Sequence, residues 1–94
     1  MEIDSPRNAA ISPAQIRAAR ALLGLEQAEL ARSAGVSRQT LITIEAGSRE
    51  QTDPRRKRKL EAIRCALEEK YGVEFLSAEG SKGEGVRLKG RSDG

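Results

Sequence analysis

Residues 27–44 read QAELARSAGVSRQTLITI, and the reading of this stretch decides the fold. Its spacing predicts two short helices joined by a tight turn. The first covers about residues 27–33, with Leu30, Ala31 and Ala34 on one face. Gly35 supplies the left-handed backbone that a residue bearing a Cβ resists, and Val36 packs the turn. Ser37 stands where an N-cap belongs, its hydroxyl near the unsatisfied amides of the next helix. That helix, about residues 38–45, turns Leu41 and Ile44 inward. Gln39 and Thr43 fall on the opposite, solvated side, flanked by Arg38 and Ile42.

Two helices set steeply across a glycine-containing turn form a helix-turn-helix, an arrangement that reads DNA. The wider stretch LGLEQAELARSAGVSRQTLITIEAGSRE resembles the DNA-binding core of the phage repressor and Cro (Xre-like) regulators. Gln27 opens the first motif helix and Ala31 sits at the crowded helix crossing. Gly35 and Val36 form the turn, and Leu41, Ile44, Glu45 and Gly47 lie in and after the second helix. The resemblance spans roughly residues 12–70. It implies a four-helix, repressor-like domain in a small bacterial or phage-type transcriptional regulator, with helix 38–45 in the major groove of double-stranded DNA. In that family an arginine at the position of Arg20 pairs with the glutamate at the position of Glu45. The resemblance therefore implies an ion pair tying the first helix to the recognition helix; two solvated charges are the alternative.

The composition bounds these expectations. Ninety-four residues allow one small domain. Apolar residues make up 37% and aromatic residues 2%, so the core must be built from Leu, Ile, Val and Ala. A core of that size is often completed by a second subunit. A net charge of +3 would not by itself argue for nucleic acid; the placement of the cations says more. With one Cys and no His, an intrachain disulfide and the usual zinc ligand sets are excluded. Such cysteine usage suits a reducing cytoplasm. No run reaches the roughly 18 apolar residues of a membrane span. The opening MEIDSPRNAA lacks the apolar stretch of a secretory signal.

Outward from the motif, residues 1–11 lack periodicity, carry Pro6 and read as a flexible tail in which Arg7 is the one cation. Ser12-Pro13 is an N-cap followed by a first-turn proline, opening a helix to about Leu23 that Gly24 ends. Ile16, Ala19 and Leu23 are expected on its core side with Leu22 beside them, and Leu25 packs inward after it. Glu26 departs from the family pattern, which has Ser, Thr or Asn at that N-cap. A glutamate suits the helix dipole but cannot donate to phosphate. Gln27 can, through its side-chain amide and the helix N-terminus.

Beyond the motif, Asp53-Pro54 repeats the cap-and-proline signature and opens a helix to about Lys70, with Leu60, Ile63, Leu67 and Tyr71 on one face. It begins Arg55, Arg56, Lys57, Arg58, Lys59. Cations in a first turn oppose the dipole, each by about 0.3–1 kcal/mol if exposed. A run placed against local preference invites a functional account. In the family fold this region faces the DNA backbone, so the run reads with Arg49 as a phosphate clamp; Arg49, Arg55, Arg56 and Lys57 are expected to contact phosphate, as are Gln27 and Ser37. A solvated charged face is the alternative. Cys65 lies opposite the apolar stripe and reads as a partly exposed bystander. After Gly72, two strands at about residues 73–77 and 85–89 are expected to form a β-hairpin before a second flexible tail at 90–94. The hairpin departs from the helix with which such regulators commonly finish. Since a lone two-stranded hairpin is marginal in water, it is expected to pack on the helices or serve as a dimer arm. The whole is thus a helix-turn-helix domain at 12–72 with a hairpin at 73–89.

The base-reading candidates are Arg38, Gln39, Ile42 and Thr43. Gln39 suits adenine N6 and N7; Arg38 suits guanine O6 and N7 or a phosphate. Thr43 offers a hydroxyl or methyl. Ile42 either meets a thymine methyl or is an ordinary scattered exposed residue. One such helix reads only a few base pairs, so a homodimer on an inverted repeat is expected. An enzyme is disfavoured, because the usual base is missing and the single thiol has no histidine beside it. No cofactor and no metal is expected. A rival class remains: an antitoxin or adaptor that uses the same fold to bind a partner protein such as a toxin.

Overall fold

The computed structural model describes residues 11–47, 54–79 and 82–89. They form four helices, α1 (Pro13–Leu23), α2 (Gln27–Ala34), α3 (Arg38–Ala46) and α4 (Pro54–Tyr71). Two strands follow, β1 (Val73–Leu76) and β2 (Gly85–Leu88). The expected tails at 1–10 and 90–94, Arg7, the loop carrying Arg49, and the Asp53 cap all lie outside the described residues.

The helix boundaries follow from their caps. Ser12 Oγ accepts from Gln15 N at 3.1 Å, and Gln15 Oε1 accepts from Ser12 N at 2.9 Å, a reciprocal capping box. Glu29 Oε1 accepts from Glu26 N at 3.3 Å, so a carboxylate three residues on serves the start of α2. Gly35 ends α2 at φ 75°, and its neighbour Val36 donates back to Ala31 O at 3.0 Å. Ser37 Oγ then accepts from Thr40 N at 3.0 Å to open α3.

The core is aliphatic. Ile16, Leu30, Leu41, Ile44, Ile63, Leu67 and Val73 are fully buried, one or two from each helix and one from β1. Each stabilises the fold by about 1.5–3 kcal/mol relative to exposure. Ala19 and Ala31 are equally enclosed, which lets the helix backbones approach at their crossings. At the far end of the motif, Ser33 Oγ and Tyr71 Oη share a 2.7 Å hydrogen bond, and Lys70 Nζ donates to Ser33 O at 3.0 Å. These bonds pin the end of α4 to the end of α2.

Two expectations about burial need correction. Ile11, assigned to the flexible tail, is 5% exposed and belongs to the core. It precedes the Ser12 cap, while Ile16 is the fourth helical residue; these are the two positions that pair in a hydrophobic staple. Leu22, placed beside the core stripe, is instead 50% exposed. Neighbouring helical residues are turned by about 100°, so with Ile16 and Ala19 inside, Leu22 points past the edge of the buried face.

The strands pair antiparallel with Val73 opposite Leu88 and Phe75 opposite Val86, so these four apolar residues share a face. On the other face Arg87 Nε donates to Glu74 Oε1 at 3.0 Å. The hairpin is docked on its own helices. Gln15, 6% exposed, donates through Nε2 to Leu76 O at 3.1 Å and to Gly85 O at 3.0 Å. One amide thus ties both strands of a cross-strand pair to the first turn of α1. Ser12 Oγ adds a donation to Glu84 Oε2 at 2.5 Å. The support that an isolated hairpin lacks is therefore supplied within the chain.

Candidate nucleic-acid interface

Helix α3 presents two unlike faces. Leu41, Ile44 and Glu45 are buried, whereas Arg38, Gln39 and Thr43 are exposed and Ile42 is half-buried between them. The outward residues meet the start of α4 across an open cleft of about 330 Å³. Ser37, Gln39, Thr40 and Thr43 line one side; Arg55, Arg56 and Lys59 line the other. No carboxylate belongs to this lining, so a polar reading surface faces a wall of three cations. That combination suits an anionic ligand that also offers hydrogen-bonding edges.

Among the proposed site residues, Gln39, Thr43, Ser37, Arg55 and Arg56 are brought together here. Arg38 and Ile42 flank the cleft on α3 without lining it, and Lys57 does not belong to its lining either. Thr40, overlooked in the sequence, joins it, and so does Lys59 from the end of the basic run. Thr40 Oγ1 accepts from Ser37 Oγ at 2.9 Å, which orients both hydroxyls at the mouth of α3. Lys59 arrives because it follows Arg55 by four positions, one helical turn. That i,i+4 spacing is legible in the sequence.

The pitch of α3 is held from behind. Arg20 Nε donates to Glu45 Oε2 at 2.7 Å and Arg20 Nη2 to Glu45 Oε1 at 2.9 Å, a bidentate pair. The Glu45 side chain is 5% exposed and that of Arg20 is 22% exposed. Arg20 Nη1 also donates to Leu25 O at 3.2 Å, and Arg17 Nη1 donates to the Glu45 carbonyl. Gln27 Nε2 completes the set at 2.9 Å from Glu45 Oε1. The Gln27 side chain, considered above for phosphate, is thus turned toward Glu45. What the start of α2 presents outward is its backbone.

Elsewhere, titration is shifted at few groups. Burial, with help from Glu61 and Glu69, pushes the Cys65 thiol up, and its Sγ lies 3.7 Å from Glu61 Oε2. The Arg87 guanidinium holds the Glu74 carboxylate below its ordinary range. Among the described residues no group of acidic, Cys or His side chains is placed to hold a metal ion, and no helix is long and apolar enough to cross a membrane.

The HTH_3 family model, described as helix-turn-helix, matches residues 16–70, more than half of the chain. The chain belongs to the HTH_3, Xre/Cro-type helix-turn-helix family. Compared with curated proteins it has no match. Membership in HTH_3 implies DNA binding. The matched segment starts at Ile16 in α1 and ends at Lys70, and it contains the cleft residues and the Glu45 network while leaving out the hairpin.

Proposed function

We propose that this HTH_3 protein is a sequence-specific regulator of transcription, a repressor, that binds double-stranded DNA as a homodimer on an inverted repeat. The observation that carries the reading is the cleft in which Gln39 and Thr43 of α3 face Arg55 and Arg56 of α4. A helix lying in the major groove needs side chains that read base edges, and beside them cations that hold the flanking backbone. Gln39 reads adenine, Arg38 reads guanine or meets phosphate, and Thr43 and Ile42 contact neighbouring base edges. Arg49, Arg55, Arg56, Ser37 and the start of α2 at Gln27 hold phosphates, while Lys57, which lines no part of the cleft, stands outside that set. Occupying a promoter by this means blocks transcription without any catalytic group, and the site of action is the cytoplasmic nucleoid.

The dimer follows from the short reach of one reading helix. Its seam lies on the α1–hairpin side, where Leu22 and Leu88 are 50% and 45% exposed. Selection of bound sites from a random duplex pool tests the whole reading. An enriched sequence with two-fold symmetry and half-sites about one helical turn apart is the expected result. Enrichment of a single, unsymmetrical half-site would remove the dimer, and no enrichment at all would remove sequence-specific binding.

A further inference from the structure

The cationic start of α4 borders a second cleft, on the turn side of the motif. Arg55, Arg58, Lys59 and Ala62 line it from α4, and Ala34, Gly35 and Val36 line it from the turn. It is about 320 Å³, close to the size of the first cleft, and shares Arg55 and Lys59 with it. Helical geometry explains the sharing. At about 100° per residue, Arg55 and Lys59 form a crest, Arg56 stands on one flank, Arg58 on the other, and Lys57 on the far side. The run of five cations is therefore three distinct surfaces rather than one patch.

Two of the charges in the second cleft are uncompensated. Among the described residues Arg58 and Lys59 have no ion pair or hydrogen bond. The nearest carboxylate along the helix, Glu61, is bound by Arg64, which also bridges to Glu68. The acidic later turns of α4 thus carry their own cation, and residues 55–59 ahead of them are all basic. The floor is open: nothing lies within 4 Å of the point where a Cβ would stand at Gly35. The turn amides are already committed, Gly35 N to Arg32 O and Val36 N to Ala31 O. Attraction here must come from the side-chain charges.

We propose that the bound DNA strand crosses the start of α4 over both clefts, so that Arg58, with Lys59, takes a second phosphate beside Gly35 and Val36. This rests on the DNA-binding reading above. A phosphodiester strand fits better than an acidic peptide because the two clefts adjoin at the Arg55–Lys59 crest, and the first one also holds the base-reading residues. Successive phosphates of one strand rise about 3.4 Å along the duplex axis, a spacing that a ridge with cations on both flanks can follow.

The test measures the salt dependence of binding to a random-sequence duplex between about 50 and 200 mM salt, using the full chain. Arg56→Gln, Arg58→Gln, Lys57→Gln and the remote Lys82→Gln are compared, with unchanged helical circular dichroism as the guard on folding. A variant that neutralises one phosphate fewer has a slope of log affinity against log salt flatter by about 0.9. Arg58→Gln is expected to flatten it by about as much as Arg56→Gln, and by more than Lys57→Gln or Lys82→Gln. A slope for Arg58→Gln no flatter than that of Lys57→Gln, with Arg56→Gln still effective, overturns the second phosphate site and leaves the DNA reading standing. Failure of the parent chain to bind duplex at any of these salt concentrations overturns both.

Discussion

Glu45 holds three groups that determine how the reading helix sits. Its carboxylate takes both arms of Arg20 and the amide of Gln27, and its carbonyl takes Arg17. The pair need not add much net stability, because burying two charges costs about as much as their attraction returns. Removing one partner is different, since it strands the other. Glu45→Ala is expected to cost about 3–5 kcal/mol in urea unfolding, and the Arg20→Ala/Glu45→Ala double variant less than the sum of the singles. Strictly additive losses would show that the pair is not coupled. Gln39 stands at the other extreme, exposed and without a structural task. Gln39→Ala is expected to relax preference at one base position by about 1–3 kcal/mol while leaving the unfolding midpoint alone. Unchanged preference in a folded variant would remove Gln39 from the reading set. At this scale the sequence is partly legible. The Arg20–Glu45 partnership is expected from the family resemblance, and the outward face of α3 from helical spacing. The orientation of Gln27 is not legible, because spacing places a residue on a helix but does not say which way a flexible amide turns.

Helices, turns and hairpin show where local signals suffice. Ser12-Pro13, Gly24, Gly35 and Ser37 are chemical punctuation, and the elements begin and end within a residue or so of where they predict. Gly35 offers a clean measurement of such a signal. Nothing crowds its missing side chain, so Gly35→Ala carries only the left-handed backbone penalty, about 1–2 kcal/mol. A loss well above that would mean that the turn is packed more tightly than its open surroundings indicate. Gln15 is invisible for the opposite reason. A polar residue in the first turn reads as solvated or capping, and nothing in one strand of sequence announces that it also grips a hairpin far along the chain. Gln15→Ala takes the side-chain donor away from the carbonyls of Leu76 and Gly85 and unties α1 from both strands. The expected result is a loss of about 1–3 kcal/mol together with faster amide exchange in β1 and β2. The hairpin also has a pH signature. The Glu74 carboxylate is held below its ordinary range chiefly by its hydrogen bond to Arg87. Its stabilising effect is therefore present above the ordinary carboxylate range and is lost as pH falls through the lowered folded value. An NMR titration of Glu74 should report a low midpoint that Arg87→Ala returns to the ordinary range.

For the molecule as a whole, the decisive quantity is how little aromatic surface it has. Aromatic residues are 2% of the chain, and the interior is filled by Leu, Ile, Val and Ala from every helix. A core of this kind closes a small domain but leaves apolar residues at its margin. Leu22 on α1 and Leu88 on β2 are the large apolar side chains exposed among the described residues. Both lie on elements away from the cationic clefts, so a second copy joined there would leave each reading helix clear. The sequence points to the hairpin for a weaker reason, that it needs support, and that need is met by Gln15, Val73, Phe75 and Val86 within one chain. Exposure of Leu88, not instability of the hairpin, is what motivates the seam. Leu88→Glu tests it without touching the DNA face, because Leu88 faces solvent and its replacement leaves no cavity. Sedimentation at tens of micromolar is expected to report a dimer for the parent chain and a monomer for the variant. Binding to random duplex should persist in the variant, since each copy keeps its own cations, while the preference for a symmetrical site over a half-site should collapse. A parent chain that sediments as a monomer and still prefers the symmetrical site would place the second copy's contribution on the DNA rather than at a protein seam.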